Sequence, residues 1–216
     1  MRYFLALAVV FSVFSFAKEV SAADDTALYD PTPPADSAFV RIINTTATAV
    51  DATIGSASYT SVAAPGISPY RVIPQGEQEA KAGDVSKKVS IEAGKYYSVA
   101  ITEKDGKKEL VTLEDAVIKN PAKAMIYFYN FSDSATASLN AVKQKADIVS
   151  GVKAGESASR EVNALTIDVA VNDAEGKEVK AFPGVELKRR TGVNFLLTGS
   201  GSNRQATMTV SDIAAK

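Results

Sequence analysis

Short apolar runs recur along the chain, and clusters of Gly, Pro, Asp and Asn separate them. Such runs, rich in β-branched and aromatic residues and bounded by turn residues, are typical of β-strands. In order along the chain, the pattern predicts strands at residues 38–43, 50–59, 70–73, 85–91, 96–101, 110–113, 124–131, 165–171, 179–182, 193–197 and 206–210. No long stretch has clean helical periodicity, and residues 139–149 stay ambiguous, with room for a helical turn. The chain is therefore predicted to be all-β.

The two halves of the chain repeat the same order of apolar blocks. SAFVRIIN (37–44) aligns with KAMIYFYN (123–130), and VSIEAGKYYSVAIT (89–102) aligns with VELKRRTGVNFLLT (185–198). A third block follows a Gly-containing loop in each half, where VTLEDA (111–116) aligns with MTVSDI (208–213). Because order and apolar phase are kept while identities are few, the pattern favours an internal duplication.

Seven or so short strands per repeat, at this spacing, predict two small immunoglobulin-like β-sandwich domains in tandem. The predicted domains span residues 37–117 and 123–216, and the short linker between them spans residues 118–122, which contain Asn120-Pro121. Residues 24–36 are rich in Pro and Asp and are predicted to form an extended lead-in.

The N-terminus has the layout of a secretory signal peptide. Arg2 is followed by a mostly apolar run at residues 3–16, and small residues precede Asp24. The apolar run is shorter than the ~20 residues of a transmembrane helix. Residues 1–23 are therefore predicted to be a cleaved signal peptide, which places the mature chain outside the cytoplasm. The alternative is an uncleaved anchor or a buried helix.

Composition excludes several classes of function. The 216 residues include no Cys, His or Trp, and the formal net charge is −1. A balanced charge gives no basic footprint for nucleic acid. Without His and Cys, the chain lacks the usual general base, thiolate nucleophiles and the commonest zinc ligands. We expect no catalytic residue, metal or cofactor, although chemistry based on Ser, Tyr, Lys or carboxylates stays open.

Motifs that could carry chemistry are weak. Ser150-Gly-Val-Lys153 matches S-x-x-K but lacks the companion motifs of penicillin-binding proteins, so a polar loop is favoured. The Gly-rich run at residues 199–203 is better explained as a hairpin loop than as a phosphate loop. Adjacent Glu114 and Asp115 are expected to point to opposite faces of a strand and to be solvated. Asn44 and Asn130 begin N-x-S/T sequons.

One charge interrupts an apolar strand. Arg41 has three possible roles: it points outward from an edge, pairs internally, or binds an anionic partner. Aromatic residues cluster in two strands, and those on the outer faces are candidate contacts for a partner protein or a carbohydrate. The candidate binding residues are Arg41, Tyr96, Tyr97, Tyr127 and Tyr129. Residues 188–190 (Lys-Arg-Arg) form a small basic patch that could meet an anionic polysaccharide, but a solvated turn is the favoured interpretation.

The segment LYDPTPPADSAFVRIIN (28–44) resembles the start of mature AlgF-type proteins, the periplasmic alginate O-acetylation proteins of Gram-negative bacteria, and GKYYSVAI (94–101) is also similar to that family. The resemblance implies a role in acetylating an exported anionic polysaccharide, beside a membrane-bound O-acyltransferase and periplasmic SGNH-type acetyltransferases. It implies an adaptor that helps relay acetyl groups, and it brings no catalytic triad to this chain.

Three hypotheses follow. The first is a non-catalytic periplasmic adaptor, with the polysaccharide as a further candidate partner. The second is an acetyl carrier or O-acetyltransferase that uses a Ser, Thr or Tyr hydroxyl. The third is a structural sandwich subunit of an envelope assembly. The absence of His favours the first and third, and the pattern at residues 28–44 favours the first over the third.

Overall fold

A computed structural model describes residues 33–104 and 106–212. Apart from a 3-10 turn at Gly201–Asn203, these residues form strands and loops. The predicted signal peptide and most of the lead-in lie outside the described residues. Among the described residues, none forms a helix long and apolar enough to span a membrane.

Nine strands form the N-terminal half, which is defined here as β1 to β9. Two sheets result, with strand orders β4-β1-β8-β9 and β3-β2-β6-β7, and β5 also pairs with β1. In chain order the strands are β1 Ser37–Asn44, β2 Val50–Ile54, β3 Ala57–Val62, β4 Gly66–Ile67, β5 Arg71–Pro74, β6 Gly76–Ala82, β7 Val85–Ile91, β8 Tyr96–Lys104 and β9 Lys107–Asp115.

Eight strands form the C-terminal half, β10 to β17. Its sheets have the orders β13-β10-β16-β17 and β12-β11-β14-β15. The strands are β10 Lys123–Ser132, β11 Thr136–Ala141, β12 Ala146–Lys153, β13 Glu156–Asn163, β14 Thr166–Asn172, β15 Glu178–Glu186, β16 Gly192–Gly199 and β17 Gln205–Val210. The prediction of an all-β chain with two tandem sandwiches is confirmed. The residue bounds of the two domains stay a prediction.

The duplication extends to strand register. β1 runs parallel to β8 with Phe39 opposite Tyr96, and β10 runs parallel to β16 with Met125 opposite Gly192. These two pairs occupy equivalent positions in the first two aligned blocks. The alignment of the third block is wrong by one residue. It places Leu113, which lies opposite Ser98, on Val210, but Thr209 lies opposite the equivalent Asn194. The register follows the core instead, which places Leu110 opposite Ile101 and Ala206 opposite Leu197.

Strand alternation gives each central sheet two apolar faces. On β1, Ala38, Val40 and Ile42 enter the core of the N-terminal sandwich. On β10, Ala124, Ile126 and Phe128 enter the core of the C-terminal sandwich. The residues between them face the other half of the molecule and form a third core. Its buried members are Ile43, Ala100, Met125, Tyr127, Tyr129 and Leu196.

The same buried asparagine anchors a loop in both halves. Asn44 Nδ2 donates to the carbonyl oxygens of Thr48 and Val62 at 2.9 and 3.0 Å. Asn130 Nδ2 donates to those of Ser134 and Val152 at 3.2 and 2.9 Å. In each sequon the hydroxyl two residues later, Thr46 or Ser132, donates to the asparagine Oδ1. Both N-x-S/T patterns therefore serve internal anchoring.

Sequence patterns missed several strands with few apolar residues. β6, β12 and β13 were not predicted, because their exposed polar side chains hide the period of two. Residues 139–149 belong to the β11–β12 hairpin, in which Lys145 N donates to Val142 O across the turn, and they form no helix. The predicted strand 50–59 is two strands joined at Gly55. That residue has φ +54° and its missing Cβ leaves room for Gln78.

Candidate functional site

Arg41 lies between the two sandwiches and is fully buried, with 0% of its surface exposed. Its neighbours Val40 and Ile42 point into the N-terminal core, so alternation directs Arg41 toward the C-terminal half. Arg41 therefore pairs internally, the second of its three possible roles.

The guanidinium joins groups from both halves. Arg41 Nε donates to Ser98 Oγ at 2.8 Å, and Nη2 donates to the Tyr129 hydroxyl at 2.5 Å. Nη2 also forms an ion pair with Asp115 Oδ2 at 3.5 Å. Nη1 donates to Ser211 Oγ at 3.3 Å. Because Tyr129 and Ser211 belong to the C-terminal half, the side chain links the two sandwiches directly.

Asp115 accepts hydrogen bonds from three hydroxyl groups of this site. Ser98 Oγ donates to its Oδ2 at 2.5 Å, and the Tyr70 hydroxyl donates to the same oxygen at 2.7 Å. The Tyr129 hydroxyl donates to Oδ1. We call Arg41, Tyr70, Ser98, Asp115, Tyr129 and Ser211 the Arg41 network. With four donors to one carboxylate, the buried charges are paired and hydrogen-bonded, as low-dielectric interiors require.

Aromatic rings enclose the guanidinium. Its carbon lies 4.2 Å from the ring centroid of Tyr70, 5.5 Å from that of Tyr129 and 5.6 Å from that of Tyr127. These distances are within the range of cation–π attraction. The rings also exclude water, which strengthens the attraction between Arg41 and Asp115.

Burial sets the protonation of the network. Burial acts to lower the pKa of Arg41, but attraction to Tyr129, Asp115 and Tyr70 outweighs it and raises that pKa. Burial also raises the pKa of Tyr70 and of Tyr129 far above the ordinary tyrosine value, against the opposing effect of Arg41. Burial raises the pKa of Tyr127 to about 12. Both phenols of the network therefore stay protonated and act as donors to Asp115.

Three of the five predicted binding residues meet at this joint. Arg41 and Tyr129 belong to the network, and Tyr127 lies beside it. Tyr97 instead enters the N-terminal core. Tyr96 is partly exposed and stacks on Phe39 with ring centroids 4.2 Å apart. Contact of these residues with a partner stays a prediction, and Tyr96 is the one that presents a face to solvent.

Asp115 is the main residue that sequence reasoning misjudged. Glu114 and Asp115 do point to opposite faces, but only Glu114 is solvated, whereas Asp115 is 4% exposed. Tyr70, Ser98 and Ser211 were not singled out either. The available signal was Arg41 itself, because a charge in a buried strand requires a partner of opposite charge on a neighbouring element.

The other motifs fall in ordinary structure. Ser150 and Lys153 lie in strand β12 and are exposed, so the S-x-x-K match does not open a helix. The Gly-rich run 199–203 lies at the end of β16 and in the loop that leads to β17. Asp133 and Asp173 hold Arg204 beside it at 2.6 and 3.1 Å. Among the described residues, no group of three carboxylates is placed to hold a metal ion.

The hydroxyl group of Ser98 is not open to a substrate. Ser98 Oγ lies between an Arg and a carboxylate, which is the chemical setting of an activated hydroxyl. Ser98, however, is 0% exposed and already accepts one hydrogen bond and donates another. The arrangement is that of a clamp, which fixes one sandwich against the other.

Comparison with known proteins gives a consistent result. The family model described as "Alginate O-acetyl transferase AlgF" matches residues 8–193. The chain is 34% identical over 199 residues to the alginate biosynthesis protein AlgF of Pseudomonas fluorescens, covering 92% of this chain and 88% of that protein. It is also 34% identical to AlgF of Pseudomonas aeruginosa over 197 residues, covering 91% and 88% of the two chains.

Two solved structures are similar over one half each. The C-terminal domain of AlgF from P. aeruginosa is 27% identical, with a TM-score of 0.37, and the match covers 41% of this chain and 98% of that one. The N-terminal domain is 33% identical, with a TM-score of 0.32, and the match covers 38% and 98%. Because the family model and both Pseudomonas relatives match most of its length, this chain is a member of the AlgF family.

Proposed function

We propose that this protein is a non-catalytic periplasmic adaptor in the O-acetylation of alginate. Family membership supports the role in alginate acetylation and a location outside the cytoplasm. In the proposal, a cleaved signal peptide exports the chain. The adaptor then helps relay acetyl groups from a membrane-bound O-acyltransferase to periplasmic SGNH-type acetyltransferases.

The observation that carries the proposal is the closed state of the Arg41 network. An acetyl carrier needs a hydroxyl that a donor can approach and a base that is free to accept its proton. Ser98 is enclosed, and Asp115 already accepts hydrogen bonds from three hydroxyl groups. The chain has no His or Cys to supply another base or nucleophile. Two sandwiches that a buried network joins are better suited to presenting a binding surface than to group transfer.

The test combines binding and turnover with the mature chain, residues 24–216. Purified periplasmic acetyltransferases of the same organism are passed over the immobilised protein, and hydrolysis of a chromogenic acetyl ester is followed in parallel. We expect stable binding, no turnover above that of the Ser98→Ala variant, and no added acetyl mass on the intact protein. Turnover that survives purification and disappears in one Ser, Thr or Tyr variant would establish the acetyl carrier instead.

A further inference from the structure

A second feature lies at the joint between the sandwiches. A cleft of about 370 Å³ opens between the β3–β5 segment of the N-terminal half and β17 of the C-terminal half. We call it the junction cleft. Arg71, Tyr59 and Ser68 lie on one side, and Thr207 and Thr209 lie on the other. Neither half forms this cleft alone.

Arg71 is the cation of the junction cleft. Arg41 and Arg204 are engaged by Asp115 and by Asp133 and Asp173. Arg71 is not part of these ion pairs. None of the described residues that line the cleft is acidic. Its guanidinium carbon lies 5.6 Å from the ring centroid of Tyr59, and that ring is fixed because its hydroxyl donates to Val40 O at 2.6 Å. A positioned guanidinium favours a carboxylate, which it can bind through two parallel hydrogen bonds.

The rest of the lining favours a peptide over a sugar. The cleft presents hydroxyl and methyl groups together with Val62, Pro65, Ile67 and Pro69. Among its described lining residues, no amide or carboxylate side chain is present to bracket sugar hydroxyls, and the ring of Tyr59 is buried. Apolar contacts around a single cation match an acidic side chain flanked by apolar residues, and arginine is among the residues that protein interfaces favour.

The Arg41 network sets the shape of the cleft through adjacent residues. Tyr70 donates to Asp115, and the next residue, Arg71, lines the cleft. On β17, Thr209 lines the cleft, and Ser211, two residues later, accepts a hydrogen bond from Arg41. Tyr70 N also donates to Asp212 O at 2.8 Å, which joins the two walls. The clamp therefore holds Arg71 at a fixed distance from Thr207 and Thr209.

We propose that the junction cleft is a docking site for an acidic segment of a partner protein, with Arg71 binding a partner Asp or Glu carboxylate. The inference rests on the proposed adaptor function and assigns the surface that performs it. It also explains why an adaptor keeps its two sandwiches clamped, because a cleft built from both halves has its docking geometry only when they are packed together.

The affinity of the mature chain for each purified SGNH-type acetyltransferase of the same organism tests this. Arg71→Gln removes the charge, Arg71→Lys keeps the charge but loses the fork, and Arg189→Gln removes an exposed charge from the β15–β16 loop as a matched control. We expect Arg71→Gln to weaken binding about tenfold or more, Arg71→Lys to weaken it less, and Arg189→Gln to leave it unchanged. Thermal unfolding of each variant verifies that the fold is kept.

The outcomes separate the two proposals. If the wild-type chain binds no acetyltransferase, the adaptor function fails, and the docking site fails with it. If Arg71→Gln binds as tightly as wild type, the adaptor function stands and the docking site is overturned. A short oligouronate is titrated as a second probe. Binding of this probe that Arg71→Gln abolishes would assign the cleft to the polysaccharide and overturn the protein partner.

Discussion

At the scale of single residues, the central feature is a buried charge pair with three hydroxyl donors. Arg41 and Asp115 are both buried, and neither would be tolerated without the other. The tyrosines supply donors to the carboxylate and aromatic faces to the guanidinium. The strand pattern predicted that Arg41 interrupts a buried strand, but its partner is 74 residues away in sequence and no local signal marks it.

The raised tyrosine pKa values predict how stability depends on pH. The phenols of Tyr70, Tyr127 and Tyr129 keep their protons when folded, whereas those of an unfolded chain ionise near pH 10. Their contribution to stability is therefore complete below about pH 10 and is lost as pH rises toward the folded values. Denaturant unfolding between about pH 8 and pH 11 should show a falling free energy of unfolding above pH 10.

Replacing one phenol checks that assignment. Tyr127→Phe removes a group whose pKa is raised to about 12, so the slope of stability against pH above pH 10 should become shallower. The tyrosinate absorbance that Tyr127→Phe removes should be a part that rises only beyond the pH range where free tyrosine ionises. A free energy of unfolding that is constant up to pH 11 would contradict the argument.

At the scale of elements, the duplicated strands differ in how clearly the sequence marks them. β1, β8, β10 and β16 are buried on both faces, so they are continuous apolar runs that the sequence predicts correctly. The outer strands β6, β12 and β13 have mostly exposed or half-buried side chains, so only pairing with a neighbour fixes them. Lysine side chains cover two edge strands. Lys87 Nζ donates to the carbonyl oxygen of Leu110 on β9, and Lys180 Nζ donates to that of Ala206 on β17. A lysine at a sheet edge disfavours pairing with another chain.

The paired asparagine anchors give a prediction at this scale. Asn44→Ala and Asn130→Ala each remove two hydrogen bonds to carbonyl oxygens and two hydrogen bonds that the asparagine Oδ1 accepts. Each change should destabilise the protein by about 1–3 kcal/mol. Hydrogen exchange should show which half loses protection, with Asn44→Ala affecting the β1–β2 loop and Asn130→Ala the β10–β11 loop. Exposed Asn163→Ala, on β13, serves as the control and should change stability by less than about 0.5 kcal/mol.

At the scale of the whole molecule, three cores hold the described residues together. Each sandwich has its own core, and the third lies between the central sheets, where equivalent positions of the two halves meet. Ile43 and Tyr129 are such a pair, as are Ala100 and Leu196. The duplication thus produced two similar faces that bury one another. The short linker predicted from sequence permits this packing but does not determine it.

The clamp should make the two halves unfold together. Arg41→Met leaves Asp115 buried without its cation, so the cost should be about 3–5 kcal/mol. Calorimetry should show one transition for the wild-type chain and a broadened or split transition for this variant. The double variant Arg41→Met/Asp115→Leu should recover part of the loss, since no charge is then buried alone. A single sharp transition at the wild-type temperature in Arg41→Met would contradict a clamping role.

The sequence by itself determined the all-β class, the tandem sandwiches, most of the buried strands and the family. These depend on local alternation, turn residues and a pattern that is kept along the chain. Tertiary structure decided that Asp115 is buried, that three of the candidate residues form one joint, and that Arg71 lines a cleft made by both halves. The physical reason is that a strand pattern specifies which faces are buried. The pattern does not specify which two sheet faces pack against each other, because that depends on contacts between residues far apart in the chain.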